Sequence, residues 1–308
     1  MVAILFAVSV ISFLLIRLVQ GDPVANILGY PRSADPELYD KLKHAMGLDQ
    51  GIVQQYFTWL KDLFTGNLHY YNNQVQPIAV WPVIKRALPV DFEIALLSQI
   101  VALAFAIPLG LRAARRPNAA FDRNTSGTTF VLLAVPVFVL LTYLINLIVH
   151  TGITGVGPGS FVYWSQDHVA NLKSLILPTI VVAVGSFVVY FRVFRTDLIS
   201  TYQEEFITMA RSKGLRRRRI TWRHAVRPSV VPLLGTMGIN IPALITGLFI
   251  VEAKLAIPGL GLQLIYAVEG KNYAMLQAIV MVSASITVVL NFFIDFSFGF
   301  IDPRISRD

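Results

Sequence analysis

Six long apolar segments constrain the fold of this 308-residue chain more than any other feature. A helix that crosses the hydrocarbon core of a bilayer needs roughly 20 mostly apolar residues. The segments that reach this length are residues 2–19, 93–111, 127–149 and 174–194, then about 230–251 and about 276–301. Only 14% of the residues are charged, against about 25% in soluble domains, so much of the surface must face lipid. We therefore predict an all-α polytopic membrane protein with six transmembrane helices.

Positive charge is concentrated in alternate loops between these segments. Residues 112–123 hold four arginines, residues 195–228 hold nine basic residues, and the tail 302–308 holds two more. The long segment 21–92 instead has six basic residues against seven acidic ones. Because loops rich in Lys and Arg stay in the cytoplasm, we predict a multi-pass protein of the plasma or inner membrane with both termini cytoplasmic.

The predicted topology divides the chain into three regions. Residues 1–20 form the first transmembrane helix, which we interpret as retained because no small-residue cleavage site follows it. Residues 21–92 form an extracytoplasmic subdomain inserted after that helix. Residues 93–308 form a core of five transmembrane helices, with a basic cytoplasmic loop at about 195–228.

Two short helices are predicted in the extracytoplasmic subdomain. Ser33 and Asp35 are candidate N-cap residues for a helix that Gly47 ends. A second helix over residues 52–64 places four apolar side chains on one face, namely Ile52, Tyr56, Leu60 and Phe64. We expect this amphipathic helix to lie at the outer membrane surface, followed by a loop or short strand.

Much catalytic and cofactor chemistry is excluded by residues that the sequence lacks. The chain has no cysteine, which rules out thiol catalysis, cysteine-ligated zinc and iron–sulfur clusters. It has no GxxxxGK(S/T) loop for ATP phosphates and no HExxH zinc motif. Its five histidines lack ligand spacing, and Asp295, the one acid well inside an apolar run, cannot form a catalytic pair. We therefore predict neither an enzyme nor a cofactor or metal bound by this chain.

One internal stretch, residues 203–228, is called the basic segment below, since eight of its residues are Lys or Arg. Three interpretations are open. The charge can simply hold the loop in the cytoplasm and contact anionic lipid, at about 1 kcal/mol per basic residue. It can bind nucleic acid, which the lack of interleaved aromatic residues beyond Trp222 argues against. It can also belong to a docking surface for another protein.

A helical pattern in the basic segment favours the docking interpretation. Ala210 lies three residues after Ile207 and four after Phe206, so the three share an apolar face. Gly214 is suited to a left-handed turn at the end of this helix, where a side chain would be strained.

A second short helix is predicted over residues 215–226, ended by Pro228. Two short helices joined at a glycine elbow would form a knob on the membrane surface. We expect such a knob to serve docking.

The basic segment and four other stretches closely resemble the permease subunits of ABC importers. Residues 203–234 are similar to the “EAA” loop of these permeases in its peptide-transporter form, E-x-x-x-x-A-R-x-K-G-L followed by R-H-x-x-R-x-x-x-x-P. The matching positions are Glu205, Ala210, Arg211, Lys213, Gly214, Leu215, Arg223, His224, Arg227 and Pro232. The other stretches, which resemble motifs of the B-type permease of dipeptide and oligopeptide importers, are 21-GDPVANILG-29, 47-GLDQGIVQQYFTWL-60, 252-EAKLAIPGLG-261 and 291-NFFIDFSFGFIDPRI-305.

Three stretches depart from the motifs of that family. The usual G-D-L-G-x-S is here 66-GNLHYYNN-73, the usual T-L-x-L-A is 91-DFEIA-95, and the usual R-D-Y-P is 271-KNYAM-275. These stretches are predicted to lie on the outer side. The resemblance therefore leaves open whether contacts to a binding protein or the substrate preference differ.

The resemblance implies a type I ABC importer permease fold and a set of partners. These are a paralogous second permease, two ATPase subunits that bind ATP and Mg²⁺, an extracytoplasmic peptide-binding protein and the lipid membrane, without nucleic acid. The EAA loop would couple the ATPases to the permease, with the face of Phe206, Ile207 and Ala210 filling a groove of the ATPase. The implied cargo is di- or oligopeptides, while a nickel chelate, glutathione or haem stays open within the same family. A stand-alone secondary transporter and a membrane enzyme are the alternatives outside it.

Polar residues inside the apolar segments are candidates for the translocation pathway. They are Asn146, Asn240, Asn291 and Asp295. Asparagines in transmembrane helices also join neighbouring helices by hydrogen bonds, and this alternative stays open.

Overall fold

The computed structural model describes residues 2–18, 21–71 and 75–301, and almost all of its regular structure is helical. The elements before residue 115 are α1 (Val2–Leu18), α2 (Pro23–Leu28), α3 (Pro36–Ala45), α4 (Ile52–Thr65), β1 (His69–Tyr71), β2 (Pro77–Ala79) and α5 (Val80–Ala114). The later elements are α6 (Ala120–Ala134), α7 (Val137–Thr151), α8 (His168–Gln203), α9 (Glu205–Ser212), α10 (Arg217–Arg219), a π-helix (Ile220–Ala225), α11 (Val226–Leu255), α12 (Leu260–Glu269) and α13 (Tyr273–Ile301).

The chain forms two compact units. The first unit comprises the described parts of residues 1–91 together with residues 258–288, and the second comprises residues 92–257 together with the described part of residues 289–308. Helices α5 and α13 each continue from one unit into the other. The predicted boundary at residue 92 therefore falls inside a helix that already begins at Val80.

Within the described residues, three helices are long and apolar enough to cross a membrane: Val80–Ala114, His168–Gln203 and Tyr273–Ile294. Two bent pairs, α6 with α7 and Gly247–Leu255 with α12, bring the number to five if each pair counts as one span. A shorter apolar helix runs from Val2 to Arg17. The described parts of all six apolar segments are thus mostly helical, while the number of spans stays a prediction.

The third apolar segment is not one straight helix. Helices α6 and α7 meet at an angle of 98°, with Val135 in an extended conformation at φ −85° and ψ 117° and Pro136 as the N-cap of α7. Proline lacks the N–H for an α-helical hydrogen bond and disfavours the α conformation of the residue before it. The third predicted span is therefore made of two helices that meet at Pro136.

The first unit is organised by side-chain caps and a small apolar cluster. Asp35 caps α3, because its Oδ1 accepts a hydrogen bond from the backbone N–H of Leu38 at 3.0 Å, and Gly47 adopts φ +67° after the helix. Both features confirm the predicted ends of α3, although Asp35 rather than Ser33 is the cap. The buried cluster joins α2 to α3 through Val24, Ile27, Tyr39 and Leu42.

Helix α4 packs on α1 through a face that the sequence did not indicate. Its buried side chains are Trp59 and Leu63, and Phe13 of α1 packs against Trp59 with ring centroids 5.7 Å apart. Ile52 and Phe64, predicted to share the apolar face, are 58% and 79% exposed. The helix carries apolar residues on two faces, and the aromatic contact with α1 decides which of them is buried.

The second unit has its core between α5, α8 and α11. Large side chains of α8 are fully buried there, among them Tyr190, Phe191, Phe194 and Leu198. Helix α5 approaches α8 closely at Gly110, where a Cβ would lie 3.0 Å from Cδ1 of Phe194. This core also supports the basic segment.

An ion pair ties the start of α6 to α8. Arg195 donates through Nε and Nη2 to the two carboxylate oxygens of Asp122, with 2.6 Å between Nη2 and Oδ2. Asp122 is buried, and it also accepts a hydrogen bond from the backbone N–H of Asn118 at 2.8 Å. A bidentate pair with a further donor fixes the relative position of the two helices.

Candidate functional site

The basic segment begins with α9, which is anchored in the core of the second unit. Ile207 is 0% exposed and Ala210 is 6% exposed, and both belong to the cluster that contains Phe194 and Leu198 of α8. Glu205 lies in the first turn of the helix and Arg211 in its last turn, a distribution of charge that suits the helix dipole. Helix α9 is therefore a part of this chain's own packing rather than a free arm.

The apolar residues that α9 presents outward are Phe206 and Met209, which are 45% and 59% exposed. The prediction that Phe206, Ile207 and Ala210 together fill a partner's groove was wrong for two of the three, because those two already pack on their own chain. Met209 was missed, although its position three residues after Phe206 places it on the same side of the helix. The outward pair is the available apolar surface of α9.

The predicted glycine elbow is confirmed. Gly214 adopts φ +72°, and the N–H of Leu215 donates to the carbonyl of Ala210 at 3.3 Å. The N–H of Lys213 donates to the carbonyl of Met209 at 3.0 Å. This closing pattern satisfies the last carbonyls of α9 and needs a left-handed residue, which glycine adopts without strain.

The predicted second short helix does not end at Pro228. Instead, α10, the π-helix and α11 follow one another without a break from Arg217 to Leu255. At the end of the π-helix the N–H of Val226 donates to the carbonyl of Thr221, five residues earlier. The wider π-turn makes room for a proline ring that would clash with a carbonyl in a regular α-helix. The elbow therefore leads directly into a long helix of the second unit.

Two polar contacts join the end of α8 to this continuous helix. The hydroxyl of Thr201 lies 3.2 Å from that of Ser229, and the hydroxyl of Tyr202 lies 3.1 Å from that of Thr221. Thr201, Thr221 and Ser229 are buried. These contacts fix the π-helix and the start of α11 to the end of α8.

Arginines surround one exposed aromatic side chain beyond the elbow. An open depression is lined by Trp222, which is 52% exposed, and by Arg216, Arg218, Arg219 and Arg223. Guanidinium groups bind carboxylate and phosphate oxygens in bidentate fashion. This surface is therefore suited to an acidic protein surface or to lipid phosphates.

The remaining positions of the predicted coupling set lie around these features. Glu205, Arg211, Lys213, Gly214, Arg223, Arg227 and Pro232 are exposed, while Leu215 and His224 are half-buried. Leu215 packs against the core cluster of the second unit. The set thus divides into an anchoring part and a solvent-facing part.

The candidate pathway residues lie on three different helices. Asn146 on α7 and Asn291 on α13 are exposed, and Asn240 on α11 is half-buried; the side chain of Asp295 lies outside the described part of the structure. Asn240 interacts with the hydroxyl of Tyr190. For Asn240 this contact favours helix joining over a pathway role.

A buried polar network, which was not predicted from the sequence, surrounds Tyr190. The hydroxyl of Tyr190 donates to Oε1 of Gln99 at 2.5 Å, and Nε2 of Gln99 donates to the hydroxyl of Ser186 at 3.3 Å. Both contacts are buried. The network joins α5 to α8. Its one signal in the sequence is that Gln99, a polar residue, lies inside an apolar run.

Among the described residues, no group of three or more His, Asp or Glu side chains could hold a metal ion.

Comparison with known proteins identifies the family. Residues 106–307 match the family “Binding-protein-dependent transport system inner membrane component”, and residues 1–94 match the corresponding N-terminal family. The chain belongs to this family of transport components. It is a multi-pass protein of the inner membrane, and the resemblance to ABC importer permeases is confirmed.

Relatives of known description match over nearly the whole chain. The di/tripeptide transport system permease protein DppB of Pseudomonas aeruginosa is 28% identical, with 98% of this chain and 95% of that protein covered. The dipeptide transport system permease protein DppB of Lactococcus lactis is 29% identical, with coverages of 98% and 94%. That of Bacillus subtilis is 24% identical, with coverages of 99% and 95%.

A solved structure confirms the predicted permease fold. The MetNI methionine ABC transporter in an inward-facing conformation matches with a TM-score of 0.58 and 16% identity, covering 71% of this chain and 96% of that chain.

Proposed function

We propose that this chain is the B-type permease subunit of an ATP-driven importer of di- and oligopeptides. The similarity to dipeptide permeases along nearly the whole chain supports this cargo class. In the complete transporter the chain pairs with a paralogous permease, and two ATPase subunits bind ATP and Mg²⁺, so that this chain needs no cofactor of its own. An extracytoplasmic binding protein delivers the peptide.

The proposed topology places both termini and the basic segment in the cytoplasm, and residues 21–92 outside. Its support is the alternation of basic and neutral loops. In this orientation the exposed face of α9 meets the ATPases.

The observation that carries the coupling role is the division of α9 into an anchored face and an exposed face. Ile207 and Ala210 hold the helix in the core of the second unit, while Phe206 and Met209 point away from it. Arg211 and Lys213 extend the exposed face with positive charge. An apolar pair bordered by cations fits a groove with an acidic rim.

The anchoring explains how movement of an ATPase reaches the transmembrane helices. Closure of the two ATPases on ATP displaces the helices seated in their grooves as rigid bodies. Because α9 is packed on α8 and connected through the elbow to α11, its displacement cannot be absorbed locally. The ATPases must contact α9 differently in the inward-open and outward-open states, since equal binding to both states would shift nothing.

Truncation of the exposed pair tests this proposal. We expect Phe206→Ala with Met209→Ala to reduce co-purification of the ATPases about tenfold or more and to abolish ATP-driven uptake of a radiolabelled dipeptide, with normal insertion in the membrane. The matched control is Val53→Ala with Phe57→Ala, an exposed apolar pair on α4, which should retain the ATPases. If the α9 variant transports at the wild-type rate, the coupling role is refuted.

A further inference from the structure

The open depression beyond the elbow has a volume of about 490 Å³. It is called the arginine depression below, and its residues are Arg216, Arg218, Arg219, Trp222 and Arg223. All five side chains are exposed, so a ligand can reach them directly from outside the protein. The proposed docking of α9 uses Phe206 and Met209 and leaves the arginine depression without a role.

No carboxylate within the described part of the chain forms an ion pair with these arginines. The ion pairs found there involve Arg32, Lys41, His44 and Arg195 instead. The positive charges of the arginine depression therefore lie within one short stretch, residues 216–223, without an intramolecular counterion. Guanidinium groups bind phosphate and carboxylate oxygens through paired hydrogen bonds, so the expected partner is an anion from outside the chain.

The tryptophan narrows the chemistry of that anion. Trp222 is 52% exposed although its indole ring is largely apolar. Tryptophan is enriched at membrane–water interfaces, because its ring contacts lipid there while its N–H stays hydrated. An apolar ring bordered by guanidinium groups suits a ligand with an apolar part next to its negative charge. A phospholipid has both parts, whereas inorganic phosphate has only the charge.

The arginine depression also lies close to a segment that is predicted to enter the membrane. Arg223 precedes Val230, where the apolar segment of α11 begins, by seven residues, which is about 10 Å along a helix axis. The polar layer of a bilayer is about 5–8 Å thick on each side. The difference is shorter than an arginine side chain, which keeps its charge in the polar layer while its stem packs on apolar surface.

We propose that the arginine depression is a binding site for the headgroup of an anionic phospholipid. The guanidinium groups donate paired hydrogen bonds to the phosphate, and the indole ring of Trp222 packs on the glycerol group. Because the depression is open, the acyl chains remain in the bilayer. The proposed topology places the site on the cytoplasmic side, where the leaflet carries anionic lipids.

The bound lipid ties the helix that follows the elbow to the membrane surface. This inference goes beyond the proposed function, because it depends neither on the peptide cargo nor on the docking of α9. Its failure would leave both of those proposals unchanged.

Native mass spectrometry of the protein, purified in mild detergent with its co-purifying subunits, tests the site. Delipidated protein is titrated with dioleoylphosphatidylglycerol, and separately with dioleoylphosphatidylcholine, whose headgroup has no net charge. We expect the wild type to bind phosphatidylglycerol more tightly than phosphatidylcholine. Arg218→Gln with Arg219→Gln should weaken phosphatidylglycerol binding at least tenfold, because two charged hydrogen-bond donors are lost.

Two further double variants separate a site from general attraction by positive charge. Arg115→Gln with Arg116→Gln removes the same charge from exposed positions of another basic loop and should bind phosphatidylglycerol like the wild type. Arg218→Lys with Arg219→Lys keeps the charge but lacks the planar guanidinium fork. We expect this variant to bind about threefold more weakly than the wild type.

Four results would overturn the site. Unchanged phosphatidylglycerol binding by the Arg218→Gln, Arg219→Gln variant refutes it, and if this variant also loses the ATPases, the arginines belong to a protein interface. Equal weakening by both glutamine variants would show general attraction by charge. Wild-type binding by the lysine variant would exclude paired hydrogen bonds to the phosphate. Displacement of the lipid by inorganic phosphate at its cellular concentration would identify the ligand as a free anion.

Discussion

Adjacent residues of α9 have opposite environments. Ala210 is 6% exposed and packs in the core of the second unit, while Met209 is 59% exposed and contributes to the outward pair. Ala210 is a specified position of the family motif, whereas Met209 stands at a position that the motif leaves open. A small residue is required at position 210 because α9 lies close against its own chain there, and this requirement is one of packing.

Charge placed at these two positions separates folding from docking. We expect Ala210→Glu to lower the amount of folded protein in the membrane strongly, because an unpaired carboxylate buried there costs several kcal/mol. Met209→Glu should fold normally and lose the ATPases at least tenfold. Size-exclusion chromatography of detergent extracts, followed by co-purification, measures both effects. If the Ala210→Glu protein folds well and lacks only the ATPases, Ala210 belongs to the docking face and the packing explanation is wrong.

Helix α2 depends on a single side chain both for its N-cap and for a contact with α3. Oδ1 of Asp22 accepts hydrogen bonds from the N–H groups of Val24 and Ala25 at 2.9 and 3.2 Å, and Oδ2 accepts one from the hydroxyl of Tyr39 at 2.6 Å. Burial raises the pKa of Asp22, but the hydrogen bonds from Tyr39, Ala25 and Val24 together outweigh it and lower the pKa below its ordinary value. The ionised carboxylate therefore holds α2 against α3.

The sign of this shift predicts an acid-sensitive helix. A carboxyl group with a lowered folded-state pKa stabilises the fold above its unfolded pKa of about 4, and this contribution is lost as the pH falls through the folded value. A thiol introduced by Ile27→Cys, at a buried position of the cluster, should react faster with 4,4′-dithiodipyridine below about pH 4. With Asp22→Asn added, which keeps the cap but loses the charged acceptor for the Tyr39 hydroxyl, the thiol should already react faster at pH 7 and show a smaller acid step. Identical pH profiles in the two backgrounds would contradict this role of Asp22.

Features of these elements were predictable from the sequence where their signal lies within a few neighbouring residues. The caps at Asp35 and Gly214 were predictable because they depend on backbone geometry within a few residues. The continuation of the helix through Pro228 was not, since it depends on a π-turn held by contacts with α8. The buried face of α4 depends on the aromatic contact between Phe13 and Trp59, which joins residues far apart in sequence.

At the scale of the whole molecule, the sequence predicts which side of the membrane each loop occupies, and the chain is well suited to a test because it has no cysteine. Lys61→Cys on α4 and Arg115→Cys after α5 both place a thiol at an exposed position. We expect a membrane-impermeant maleimide to label Lys61→Cys in intact cells, and Arg115→Cys only after permeabilisation. The reverse pattern would invert the topology and place the basic segment outside, where no ATPase could reach it.

The π-helix has a consequence for insertions and deletions. Its i→i+5 hydrogen bonds enclose one residue more than α-helical bonds do, and each residue of an α-helix advances the side-chain direction by about 100°. The π-turn therefore takes up one extra residue without the rotation of about 100° that an added residue causes in a regular α-helix. Removal of one residue from 220–225 would let the backbone return to a regular α-helix with Arg216–Arg219 still facing nearly the same direction relative to α11. Removal of one residue from the regular part of the helix that follows would instead turn that group by about 100° relative to the rest of α11, although every arginine would still be present. The position of a deletion in this continuous helix, more than the composition of the segment, therefore decides where the positive surface points.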